Sequence, residues 1–228
     1  MNTADIMILS VLGAVFGLDT VSFPQSMISR PIVGATVAGA ILGDPWAGLL
    51  VGAALELFAV ETLPFGASRY PEWGSAGVVG GALYAKAAYG FDAGRLTTSV
   101  LAALALAWVG GWSMVQLRKL NAHWARSRHD AVAHGSRQTV IGLQIAGLGA
   151  DLSRGFMLTA LGLMAFAPVQ VLTLQACGSS APMSRAMVGG VAGAVSLGAA
   201  WKLFHAVPRF LWFFAVGLGA GLVVVSIS

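Results

Sequence analysis

The chain has 228 residues, of which 57% are hydrophobic and 10% charged, and its mean hydropathy is +0.80. A soluble domain carries about 25% charged residues and a disordered chain lacks apolar surface, so both classes are excluded. The single cysteine, Cys177, excludes a disulfide scaffold, and the 30 glycines show no Gly-X-Y period. What remains is an all-α polytopic membrane protein, with room for roughly six to nine transmembrane or re-entrant segments of about 20 residues.

The formal charge of +4 matters less than where the bases lie. Arg118, Lys119, Arg126, Arg128 and Arg137 fall in one polar stretch whose sole acid is Asp130. Such a stretch is retained on the cytoplasmic side, so 118–137 is expected to be a basic cytoplasmic loop. No aromatic-rich basic motif accompanies it, and no nucleic-acid partner is expected. The start, Met1-Asn2-Thr3-Ala4-Asp5, brings no basic residue ahead of its apolar run, and no cleaved secretory signal is expected.

In chain order, an apolar run at 6–18 meets Asp19 and then a polar patch containing Ser22, Gln25, Ser29 and Arg30-Pro31. A run at 32–42 is too short to cross a bilayer and stops at Gly43-Asp44-Pro45, which reads as a turn. Residues 46–63 carry Glu56 and Glu61, residues 66–73 are polar, and 74–91 are rich in Gly and Ala with Lys86 among them. The segments 96–117, 155–176 (with a kink expected at Pro168), 184–200 and 210–227 read as ordinary spans, and 138–150 as a shorter apolar piece that either joins the following span or enters the membrane partway. The chain is thus one membrane-embedded unit: a broken-helix half at 1–91, a span at 92–117, the basic loop at 118–137 and C-terminal spans at 138–228. Gly- and Pro-broken segments clustered in one half are the mark of a site made from discontinuous helices.

Gly48, Gly52 and Glu56 are spaced four apart and share a helix face, which admits another backbone or a ligand and presents a carboxylate at membrane depth. That carboxylate is expected to contact a ligand, to pair with Arg30 or Lys86, or both. Asp19, Gln25, Ser29 and Arg30 combine a carboxylate, an amide, a hydroxyl and a guanidinium, a set suited to a polyhydroxylated neutral ligand. For Asp19 a cap or loop role stays open, and for Arg30-Pro31 a helix start. No His or carboxylate cluster has metal-ligand spacing, so neither metal nor cofactor is expected. His123, His129 and His134 read as solvated members of the basic loop. No phosphate-cradling glycine loop, nucleophile elbow or zinc-binding helix motif is present, so the chain has no means of activating a phosphoryl donor itself.

Gly17-Leu18-Asp19, Gln25, Ile28-Ser29-Arg30-Pro31, Gly39, Gly43-Asp44, Gly48, Gly52 and Leu55-Glu56-Leu57 closely resemble the IIC subunits of mannose/sorbose-type sugar phosphotransferase systems. The pattern continues through Gly66 and Pro71-Glu72, and Arg118, Asn121, His123 and Asp130-Ala131 resemble its weaker second motif. The resemblance implies a permease subunit of the bacterial inner membrane, without a phosphoacceptor of its own. It also implies a IID-type membrane partner, assembly as a trimer of IIC–IID pairs, and phosphorylation of the arriving sugar by soluble IIB, itself charged by IIA. The chain departs from the pattern at Glu61, Arg69-Tyr70 and Glu72. Asp19, Gln25, Ser29, Arg30, Glu56 and Glu72 are the expected ligand or gating residues, Glu56 and Gln25 foremost. A proton- or ion-coupled secondary transporter using Glu56 or Glu61, and a non-transporting membrane scaffold or sensor docking a soluble partner on its basic loop, remain alternatives.

Overall fold

The computed structural model describes residues 1–60, 69–86 and 93–177, with isolated helical positions between 186 and 220. The described residues form α1 (Thr3–Asp19), α2 (Pro31–Ile41), α3 (Pro45–Ala59), α4 (Trp73–Ala85), α5 (Ala93–Arg126), α6 (His129–Ala133) and α7 (Arg137–Cys177). Local chemistry sets their ends. Asn2 and Asp5 cap α1 reciprocally. At the expected stop, Gly43 takes φ +91°, the Asp44 carboxylate accepts from Ala47 N at 2.9 Å, and Pro45 opens α3.

At 11 and 15 residues, α2 and α3 reach only about 17 and 23 Å, short of the ~30 Å hydrocarbon core. They form an antiparallel hairpin about Gly43-Asp44. By contrast α5 and α7, with 34 and 41 residues, extend about 51 and 62 Å. Among the described residues, the helices long and apolar enough to cross a membrane lie within α5 and α7.

Helix α4 is the centre of the molecule. Every residue from Trp73 to Tyr84 is buried, against α1, α2, α3, α5 and α7; a helix without a polar face needs such enclosure. Glycine lets the neighbours come close. A methyl group at Gly81 would collide with the Ala35 carbonyl, and one at Gly77 would lie 3.2 Å from Pro31 Cα. From the other side, a methyl at Gly48 would also strike the Ala35 carbonyl, and one at Gly52 would lie 2.8 Å from Ile32 Cα. The Gly48–Gly52–Glu56 face therefore approaches a backbone, that of α2, which is clamped between α3 and α4. On the far side of α4, Gly74 meets the α1 backbone at Phe16, and α1 meets α7 through Gly13 against Thr159 and Gly155 against Ala14.

One expectation is corrected. Helix α5 runs past residue 117 to Arg126, and α6 follows after a short turn, so most of 118–137 is helical and not a loop. The stretch has good helix formers and no Gly before Gly135 (φ +73°), where the chain turns into α7. Of the two courses open to 138–150, the structure takes the first: it joins 155–176 in one helix, because the polar residues between them, Asp151 and Arg154, pair with each other on one face; Pro168 lies within it. The spans expected at 184–200 and 210–227 lie largely outside the described residues, and Glu61, Gly66 and His205 lie wholly outside them.

Gly48→Ala or Gly81→Ala is expected to lower stability by about 1–3 kcal/mol, because backbone cannot yield to the added methyl as a side chain would. Gly142→Ala, with nothing within 4 Å of the new carbon, should instead gain up to about 1 kcal/mol of helix propensity. Heating the detergent-solubilised variants and measuring the surviving monodisperse peak by size exclusion orders the three.

Candidate functional site

Polar side chains gather at the C-terminal end of α1 in two adjoining clusters. In the first, the Asp19 carboxylate is 1% exposed and accepts from Ser26 N (2.7 Å), Ser26 Oγ (3.0 Å) and Ser29 N (2.9 Å). This ring of donors holds the loop in which Gln25 and Met27 take left-handed conformations, φ 61° and 65°, each costing a residue other than Gly about 1–2 kcal/mol. Gln25 is exposed, and its Nε2 donates to the Val21 carbonyl.

Arg30 precedes α2 and meets Glu56 on α3. Its Nε donates to Glu56 Oε1 at 2.6 Å, its Nη2 contacts the same oxygen, and its Nη1 donates to the Ala59 carbonyl at 3.3 Å. Glu56 Oε2 in turn accepts from Ile32 N at 3.2 Å. A carboxylate thus caps the positive start of α2, and a guanidinium caps the negative end of α3. Of the two cations weighed for Glu56, Arg30 is the partner; Lys86 pairs with Asp5 at 3.0 Å.

The second cluster centres on Glu72, which is wholly buried. Its backbone N donates to the Ala107 carbonyl of α5 at 2.9 Å, and its Oε1 caps α4 through Ser75 N at 3.1 Å. Its Oε2 has no hydrogen-bond partner among the described residues. Gly110 and Gly111 admit this segment against α5: a methyl at Gly110 would lie 2.7 Å from Glu72 Cβ, and one at Gly111 would strike the Tyr70 carbonyl. From α7, Arg154 bonds Asp151 Oδ1 through Nε at 2.9 Å and Ser113 Oγ through Nη1 at 3.2 Å. Gly17 sits among these groups, where a methyl would lie 3.4 Å from Glu72 Oε1 and 3.7 Å from Arg154 Nη2. Ser22 Oγ donates to Asp151 Oδ2, tying the Asp19 loop to α7. Arg118 Nη2 donates to Tyr70 Oη at 2.7 Å.

Asp19, Ser29, Arg30 and Glu56 are therefore brought together; Gln25 lies on the exposed rim, and Glu72 belongs to the neighbouring cluster. His123, His129 and His134 are exposed, away from this belt. Asp151, Arg154 and Ser113 were not singled out from the sequence. The available signal was an acid and a base three apart inside an apolar run, together with Gly110-Gly111 in the middle of the best span. Chemically, the belt sets carboxylate acceptors, guanidinium donors and serine hydroxyls at the meeting of α1, α3, α4, α5 and α7.

The fold and this polar belt define a helical membrane protein with a candidate site between broken helices. The chain belongs to the family of PTS system sorbose-specific IIC components, whose family model matches residues 3–220. It is 30% identical over 103 residues to the fructose permease IIC component of Bacillus subtilis (strain 168), covering 45% of this chain and 38% of that one. Over 72 residues it is 31% identical to the sorbose-specific EIIC component of Lacticaseibacillus casei, covering 32% and 26%. Over 148 residues it is 20% identical to the mannose-specific EIIC component of Escherichia coli (strain K12), covering 65% and 53%. The matches thus span about a quarter to a half of these relatives' lengths. Two solved structures share the fold across all of this chain: a membrane protein (TM-score 0.73, 16% identity, 92% of that chain) and the mannose transporter ManYZ in complex with microcin E492 (TM-score 0.63, 17% identity, 94% of that chain).

Arg30→Gln and Glu56→Gln are each expected to destabilise the fold, and the double variant should cost less than their sum, with a coupling of about 0.5–3 kcal/mol. Lys86→Gln combined with Glu56→Gln should be additive within about 0.5 kcal/mol. Unfolding by SDS in mixed micelles measures both cycles.

Proposed function

We propose that the chain is the permease subunit of a phosphoenolpyruvate-dependent sugar phosphotransferase system in the bacterial inner membrane, with residues 118–137 on the cytoplasmic side. It binds a sugar at the polar belt and moves it inward by alternating access. A IID-type subunit completes the membrane part, as a trimer of pairs, and IIB, charged by IIA, phosphorylates the sugar on arrival. The observation that carries this reading is membership of the IIC family across residues 3–220, joined to a largely enclosed polar belt whose groups suit hydroxyl-rich ligands.

In this reading the belt residues are both contacts and gate. Ser22 to Asp151 and Arg30 to Glu56 close the belt, while Glu72 Oε2 is the buried acceptor that a sugar hydroxyl can satisfy. Reaching it parts the Asp19 loop from α7, and this coupling of entry to loop movement is what alternating access needs. Gln25, on the rim, offers an amide to the incoming ligand.

The test is phosphoenolpyruvate-dependent sugar phosphorylation by membranes containing this chain, its IID subunit and the phosphocarriers. Activity that disappears when any component is omitted supports the proposal. Uptake driven by a proton gradient in vesicles holding this chain alone would replace it with ion-coupled transport, and inactivity of the complete assembly toward every sugar would leave the scaffold reading. Glu72→Gln should weaken sugar binding roughly 10- to 150-fold, the effect of losing about 1.5–3 kcal/mol from a charged hydrogen bond, with membrane levels little changed. Gln25→Ala, losing a neutral bond of about 0.5–1.5 kcal/mol, should cost roughly 2- to 13-fold. Isothermal titration of the purified complex reads both.

A further inference from the structure

The outward side of α5 carries Leu101, Ala105, Trp108 and Trp112, all exposed. Their 4-3-4 spacing is that of a seam between packed helices. Trp108, 66% exposed, lies near the middle of the apolar stretch 96–117. Over its ring, 4.4 Å from the centroid, sits the guanidinium of Arg69. Arg69, Tyr70, Pro71 and Trp108 line a shallow cavity of about 180 Å³. The depth is fixed by the next residues of the same segment, because Glu72 N bonds the Ala107 carbonyl one residue from Trp108.

Among the described residues, Arg69 has no carboxylate partner. A guanidinium at mid-span facing hydrocarbon is costly, and nine residues of helix separate Trp108 from the end of the stretch, too far for the side chain to snorkel out. A second copy of this chain does not solve the problem. Among the described residues the exposed seam and its rim carry a cation and no acid, so an isologous contact through this face gives neither Arg69 a carboxylate. The complement to this face is an apolar helix of a different membrane chain that presents an Asp or Glu at mid-depth, with the carboxylate seated in the cavity beside Arg69.

We infer that the Leu101–Trp112 seam with Arg69 is the docking face for the IID-type subunit, and that it recognises a carboxylate on one of that subunit's helices. The inference rests on the partner assignment proposed above and adds where and by what chemistry the two subunits meet. The test co-expresses this chain, carrying the photoreactive residue p-benzoylphenylalanine in place of Trp108, with the IID subunit of the same system, and irradiates whole membranes. An adduct of this chain with IID is expected. Arg69→Met should reduce IID co-purifying with the chain about tenfold and Arg69→Lys clearly less, while the chain expressed alone stays monodisperse in both variants. If IID co-purifies with the unaltered chain but position 108 yields only lipid adducts or a dimer of this chain, or Arg69→Met retains IID in full, the docking face is overturned and the partner assignment stands. If IID does not co-purify even with the unaltered chain, the partner assignment fails and the docking face falls with it.

Discussion

Backbone-to-backbone contact at α4 is the constraint on which the rest of the structure depends. A helix buried on every side, with five helices around it, leaves no room for side chains at its closest approaches, and glycine occupies them: Gly74 toward α1, Gly77 and Gly81 toward α2. In lipid there is little hydrophobic gain from pressing helices together, and close packing of small residues supplies the attraction. The α2–α3 hairpin, too short to cross a membrane, is held in place by this contact and by Gly48 and Gly52 on its other side. Short helices bring charged ends to membrane depth, and the polar belt is the consequence.

Each of those ends is matched by a side chain of opposite sign. Glu56 meets the start of α2, Arg30 the end of α3, and Glu72 the start of α4. Helix termini carry partial charges of roughly half a unit and leave donors and acceptors unpaired. Burying them without partners would cost far more than burying the pairs. The same groups therefore build the fold and form the candidate site, so a substitution among them reports on both. Stability and ligand affinity have to be read side by side in any variant of this belt.

Much of this was legible in the residues. Gly43-Asp44-Pro45 named its own turn, the four-residue spacing of Gly48, Gly52 and Glu56 named a close-packed face, and the run at 32–42 was visibly too short to span. The continuity of α7 was only half legible, as one of two courses open to 138–150. Hydropathy treats Asp151 and Arg154 as an interruption, whereas at a spacing of three they neutralise each other on one helical face and let the helix run through. The helical course of 118–126 was hidden for the opposite reason: apart from Arg118, which reaches Tyr70, its charges point to solvent, and charge by itself suggests a loop. Gly110-Gly111 marks a close approach on α5 but not which segment lies against it. Pairings across more than thirty residues, such as Glu72 with Ala107, leave no periodic trace in sequence.

Under the proposed function, hydrogen-bond occupancy orders the belt's acidic residues as ligand contacts. Asp19 already accepts three bonds from its own loop, and its loss would release two left-handed residues, so its first duty is to hold the loop in shape. Glu56 has both oxygens engaged, one by a guanidinium and one by a backbone amide; a sugar hydroxyl reaching it has to share or displace one of them. Asp151 is divided between Arg154 and Ser22. Glu72 alone among these four leaves a carboxylate oxygen without a donor, in a fully buried position beside Gly110, where that oxygen would lie 3.2 Å from an added methyl. A buried polar oxygen without a donor is expensive to maintain, and a ligand that brings one gains what the fold has not already used. Among these four acids, those whose bonds are complete define the walls of the site, and Glu72, whose bonds are incomplete, is where a hydroxyl-rich ligand gains most.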